Sequence, residues 1–136
     1  MSKLSTFLHP VAVSEEKEIV ISKRFQDEKG NPVPFKIRAL TQEENETLVK
    51  AATISYRDRT GANASKFDRF KYIRSLVVEG TLEPDFRAKE LCDAYGVLDP
   101  LQIPGKMLYA GEFQRLGDAI AELSGIGDDL EEEVKN

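Results

Sequence analysis

Residues Phe35 to Leu48 read F-K-I-R-A-L-T-Q-E-E-N-E-T-L, an alternating strand that runs directly into a capped helix. Phe35, Ile37 and Ala39 alternate with Lys36 and Arg38, the period-two pattern of a half-buried strand. Thr41 and Glu44 stand at the T-x-x-E spacing of a capping box, in which each side chain satisfies an orphan amide at the helix start. Glu43 and Glu44 also place negative charge at the positive end of the helix dipole.

Upstream, Ile19, Ile21 and Phe25 alternate with Val20, Ser22 and Arg24, which predicts a second strand. The intervening Q-D-E-K-G-N-P is polar and rich in turn formers, so the two strands form a β-hairpin with a longer loop. Pro34 cannot donate a ladder hydrogen bond and belongs at an edge or beside that loop. A lone hairpin is marginal in water and must lay its apolar face on the helices that follow.

Downstream, Leu48, Ala51, Ala52 and Tyr56 continue at helical spacing, and Arg57 to Ser65, with Gly61 and Asn63, is expected to be a loop. A second helix is predicted over Lys66 to Glu79, with Phe67, Phe70, Ile73 and Val77 on its buried face and Gly80 at its end. A third, Arg87 to Tyr95, turns Ala88, Leu91, Cys92 and Tyr95 inward and stops at Gly96. Asp99 before Pro100 starts another helix, which Pro104 and Gly105 keep short or kinked. The last helix, Gly111 to Ser124, aligns Phe113, Leu116, Ile120 and Leu123, and Gly125 closes it. The expected fold class is α+β: an N-terminal hairpin packed on a bundle of about four to five short helices. Residues 1–16 are expected to form a weakly ordered arm, 17–125 a single domain, and 126–136 an acidic, disordered tail.

A chain of 136 residues fits one domain and buries roughly two-thirds of its unfolded surface, enough for a core without staples. No apolar run is long enough to span a bilayer, and the N-terminus has neither a sustained apolar core nor a cleavage motif. The single cysteine, Cys92, has no intrachain partner for a disulfide and points to a reducing, cytoplasmic compartment. The net charge of −5 argues against a general nucleic-acid binder, whose affinity comes mainly from neutralising phosphates. Between Gly127 and Asn136 five acids face one lysine, a charge of −4, so the body itself is close to neutral.

No set of residues points to catalysis, a metal or a cofactor. His9 and Cys92 are the only soft metal ligands, and they lie in different regions. Cys92 sits on the apolar face of a short helix, which favours an inert core thiol over a nucleophile. His9 belongs to an arm that cannot hold catalytic geometry. The acidic tail lacks the D-x-[DN]-x-[DN]-G order of a calcium loop. The segment K-F-D-R-F-K-Y-I-R, Lys66 to Arg74, mixes cations with aromatics as stacking platforms do, but its spacing is explained as the buried stripe of a helix.

Four stretches occur in a telling order: I-R-A-L-T-Q-E-E (37–44), V-V-E-G-T-L-E-P-D-F (77–86), L-C-D-A-Y-G-V-L-D-P (91–100), and the helix G-E-F-Q-R-L…I-A-E-L-S-G (111–125). In order, spacing and chain length they resemble the small tail assembly chaperones of PBSX-type prophages, the XkdN-like family, as carried by Bacillus prophages and prophage-like elements. The resemblance implies a non-enzymatic role in the cytoplasm of a bacterial host. It implies binding of the tape measure protein, whose long apolar helices are kept soluble, and assistance in recruiting tail tube protein. The alternative function is a small nucleic-acid-contacting regulatory protein of a prophage. Leu98, Leu101, Met107, Leu108 and Phe113 flank the Pro-interrupted segment, where irregular backbone leaves apolar side chains incompletely covered. They are the candidate partner-binding residues, with burial in the core as the other reading. Nothing in the sequence sets the oligomeric state.

Overall fold

A computed structural model of the chain describes residues 3–11 and 15–126. The expected acidic tail, from residue 127 onward, lies outside the described residues. In order the elements are α1 (Lys3–Leu8), β1 (Glu16–Ile19), β2 (Phe35–Arg38), α2 (Gln42–Ala51), β3 (Thr53–Arg57) and β4 (Asn63–Phe67). Then come α3 (Arg69–Gly80), β5 (Thr81–Glu83), α4 (Lys89–Tyr95), a 3-10 turn (Pro100–Gln102), α5 (Ile103–Met107) and α6 (Ala110–Leu123). The fold is α+β, with six α-helices and two small antiparallel sheets among the described residues.

The hairpin expected from alternation exists, with Ile19 opposite Phe35 and Glu16 opposite Arg38. Phe35 and Ile37 point into the core while Lys36 and Arg38 are half-buried, as the period of two requires. β2 is the centre of a three-stranded sheet, because β5 pairs along its other edge with Ile37 opposite Thr81. Three residues are too few for alternation to reveal, so β5 is absent from the sequence reading. The first strand lies upstream of the expected one: it ends at Ile19, and Ile21 and Phe25, expected within it, fall in the connection to β2. Ile21 leaves the ladder to enter the core, and the Arg115 guanidinium donates to its carbonyl at 2.9 Å. The loop turns at Asp27, whose carboxylate accepts from the Lys29 and Asn31 amides, both at 2.9 Å. Within the expected arm, residues 3–8 form a helix with no buried residue.

The capping box is present. Thr41 Oγ1 accepts from the Glu44 amide at 3.2 Å, and Glu44 Oε1 accepts from the Thr41 amide at 3.0 Å. α2 nevertheless stops at Ala51, and two expectations beyond it are corrected. Tyr56 is not helical, and residues 57–65 are not merely a loop: β3 and β4 form a second hairpin with Ile54 opposite Lys66 and Tyr56 opposite Ala64. Its turn is closed by the Gly61 amide donating to the Asp58 carbonyl, with Gly61 at φ 84, a conformation glycine adopts without steric cost. The second correction follows from the first. Lys66 and Phe67 end β4, and the Asp68 carboxylate caps α3 by accepting from the Lys71 amide at 3.1 Å. The buried face of α3 is therefore Ser75 to Val78 with Gly80, while Phe67 and Phe70 remain 47% and 76% exposed.

α6 closes the core, with Leu116 and Ile120 fully buried against Val77, Ile37, Phe86 and Ile103. α3 and α6 meet at Gly80, where a Cβ would lie 2.5 Å from Ile120 Cγ2. A Gly80→Ala change therefore overpacks a filled site and is expected to cost about 1–3 kcal/mol. Ile120→Ala alone should cost about 2–5 kcal/mol, and in the double variant the two losses should fall short of additivity because the clashing atoms are gone. Equilibrium denaturation of the three variants checks this.

Candidate partner-binding surface

The structure does not bring the five candidate residues together. Met107 and Leu108 belong to the buried core, where the turn after α5 points them inward. Leu101 is half-buried in the 3-10 turn and packs on the same core. Leu98, between α4 and the turn, is fully exposed. Phe113 is half-buried on α6 and faces a different surface, a groove between α3 and α6. The Pro-interrupted segment is better covered than its irregular backbone suggests, because Ile103 and Pro104 are buried with it.

The α3–α6 groove is the feature that sequence reading missed. It encloses about 420 Å³ and is lined by Phe70, Ile73, Leu76, Phe113, Ala121 and Ile126, with Arg69, Gln114 and Asp118 as polar members. The close approach that forms it is at Gly80; at Gly117 a Cβ would stand 3.7 Å from Val77 and 3.8 Å from Ile73, ordinary van der Waals contact. Phe70 carries the largest exposed apolar surface on α3. The available signal was Gly117 and Ala121 on one helix face, four apart, opposite a helix ending in Gly80. The root of the β3–β4 hairpin packs beside α3 through Phe67, whose ring centre lies 5.6 Å from that of Tyr72 with the rings tilted by 50°, and the Tyr72 hydroxyl donates to Asn45 Oδ1.

Electrostatics hold α6 in place. Glu112, on its first turn, accepts from the Tyr109 amide at 2.8 Å and from Arg24 Nη2 at 2.5 Å. Arg24 also donates to the Met107 carbonyl at 3.2 Å, and its guanidinium lies 4.3 Å from the centre of the Tyr109 ring. The Ser22 hydroxyl, Arg24 and the Tyr109 amide together hold the Glu112 carboxyl at about 2. Glu44 is likewise held at about 2, by Arg38 and then by the Thr41 amide. Among the described residues no three His, Cys, Asp or Glu side chains cluster to hold a metal, and no helix is long and apolar enough to cross a membrane. His9 is exposed beyond α1, and Cys92 is buried in α4 with its thiol toward the Phe86 carbonyl at 3.8 Å.

Comparison with known proteins identifies the family of the chain. The family model described as phage XkdN-like tail assembly chaperone protein matches residues 4–136. The chain belongs to that family. It is 35% identical over 127 residues to the phage-like element PBSX protein XkdN of Bacillus subtilis (strain 168), covering 90% of this chain and 86% of XkdN. It is 36% identical over 120 residues to YqbN of the same strain, covering 88% of this chain and 80% of YqbN. The crystal structure of YqbN superposes with a TM-score of 0.77 at 32% identity, over 93% of this chain and 99% of that one. This tail assembly chaperone thus presents its relatives' fold, and its partners are phage tail proteins.

The two depressed carboxyls predict the acid limb of stability. Glu44 and Glu112 ordinarily titrate near 4.5 and do so at about 2 when folded. Their contribution is complete above about 4.5 and is lost as pH falls toward about 2, because the unfolded chain takes up their protons first. Denaturation midpoints should fall through that window, and Glu112→Gln should flatten the slope while lowering stability at neutral pH.

Proposed function

We propose that this chaperone binds the tape measure protein in the bacterial cytoplasm, seating an apolar helix of that partner in the α3–α6 groove, and so assists assembly of the tail tube without catalysis. The observation that carries the reading is the groove itself. It is an apolar channel between two helices with Phe70 76% exposed beside it, the form in which an amphipathic helix is ordinarily received. Exposed apolar surface of this kind marks an interaction site on a chain of ordinary hydrophobic content. The tail tube protein is the second partner in this reading, engaged while the first is held. Of the original five, Phe113 lines the groove and remains a contact residue, whereas Met107, Leu108 and the half-buried Leu101 pack in the core and the exposed Leu98 lies outside the groove.

Co-expression with the long, helix-rich tape measure chain of a PBSX-type element tests the proposal. The chaperone should raise that chain's soluble yield and co-purify with it, also at high salt, which screens exposed charges but not apolar contact. Phe70→Asp should abolish co-purification while shifting stability by no more than about 0.5 kcal/mol, as expected for an exposed site. Met107→Ala should instead cost about 2–5 kcal/mol. A tape measure chain that never associates, or that binds Phe70→Asp as well as the parent, overturns the reading.

A further inference from the structure

The segment Lys66 to Arg74 is not the buried stripe that its spacing suggests, since Phe67 and Phe70 stay exposed. Tyr56, on the neighbouring strand, is 49% exposed as well. The charge of this region is opposite to that of the whole. From residue 50 to residue 74 seven cations stand against two acids, a net charge of +5 in a chain of −5. Both acids serve the backbone. Asp58 accepts from the Thr60 amide at 2.8 Å and the Ala62 amide at 3.1 Å to close the hairpin turn, and Asp68 caps α3. The ion pairs among the described residues engage Arg24, Lys36, Arg38 and Arg87. Arg57, Arg59, Lys66, Arg69, Lys71 and Arg74 take part in none of them.

We propose that the β3–β4 hairpin and the start of α3 form a binding site for single-stranded nucleic acid. Such a ligand requires a track of cations for its phosphates and open aromatic faces for its bases, and this region supplies both. In the hairpin register Ile54 stands opposite Lys66 and Tyr56 opposite Ala64, so an aromatic ring and a cation share one face. Ala64 is too small to cover the Tyr56 ring, and every residue of β3 is exposed. The Asp68 amide donates to the Ala52 carbonyl at 2.8 Å, and Phe67 packs on Tyr72, so the ribbon is held to the cationic helix. The chain's net charge does not oppose this. Screening over about 8 Å at physiological ionic strength leaves a phosphate on the hairpin governed by the charges beside it rather than by distant acids. An acidic protein segment would meet the same cations, but it has no use for uncovered rings. A duplex hides the base faces that those rings would stack on. The site adjoins the α3–α6 groove, yet Tyr56, Arg57 and Arg59 lie outside that groove, and the inference stands independently of the tape measure reading.

Fluorescence anisotropy of a labelled oligo-uridine or oligo-thymidine of about twelve nucleotides, titrated with the full chain, tests the proposal. At least one of the two should bind at low salt. Neutralising about five phosphates of a single strand gives a log–log salt slope of about −3.5, so affinity should fall roughly 100-fold between about 50 and 200 mM salt. Arg57→Glu with Arg59→Glu should weaken binding about tenfold or more and flatten that slope, because phosphate contacts are lost. Tyr56→Ser should weaken binding about tenfold with the slope unchanged, because only stacking is lost. All three side chains are exposed, so the amide NMR spectrum of each variant should show the hairpin retained. Absence of binding by both single strands at low salt overturns the proposal. So does a duplex of the same sequence length, or a poly-glutamate peptide, that binds as tightly as the single strand. Binding by Tyr56→Ser equal to that of the parent also overturns it, since cations alone would then account for the affinity.

Discussion

The close approach of α3 and α6 at Gly80 is the constraint on which the remaining architecture depends. With no side chain at Gly80, the fully buried Ile120 fills the space where a Cβ would stand. Two helices that meet at glycine bring their flanking apolar residues into one core, so Val77, Leu116 and Ile120 pack together beneath the three-stranded sheet. The same contact sets the position of Phe70, Ile73, Phe113 and Ala121 relative to one another. Core and groove are two sides of one helix pair.

The sheet region is fastened to that pair by two arginines that act alike. Arg38 on β2 reaches Glu44 at 2.6 Å and Glu79 at 3.0 Å, and Arg87 completes the set on Glu79 at 2.7 Å. Arg24, in the loop after β1, reaches Glu112. In both places the glutamate stands on the first turn of a helix and also accepts that helix's leading amide. A single carboxylate thereby caps a helix and binds the hairpin region to it. Partly exposed ion pairs contribute little net stability, so these links matter more for orienting α2 and α6 against the sheet than for holding the core.

The described residues also expose apolar surface. Here that surface is divided among a groove between helices, an N-terminal helix and an exposed hairpin carrying Ile54 and Tyr56. The division keeps each patch small, and small apolar patches rimmed by charge are tolerated in solution while still rewarding a partner that covers them. Arg69 and Asp118 in the groove, and Arg57 and Lys66 on the hairpin, supply that charge.

Features governed by neighbours a few residues apart were legible in the sequence alone. The Thr41–Glu44 box, the strand Phe35 to Arg38, the stop at Gly96 with φ 66 and the Asp99–Pro100 start all depend on local sterics and short hydrogen bonds. The four ordered stretches likewise sufficed to indicate the chaperone family. The β3–β4 hairpin was hidden because Leu48, Ala51, Ala52 and Tyr56 satisfy a helical period by coincidence, leaving only Asp58 to Gly61 to mark its turn. Phe70 was misplaced because spacing reports that residues share a face, not which face another element covers. Tertiary structure alone decided that Met107 and Leu108 are core while Phe113 lines a groove. A groove belongs to two helices distant in sequence, and the distance between them is set by packing, which no local pattern encodes.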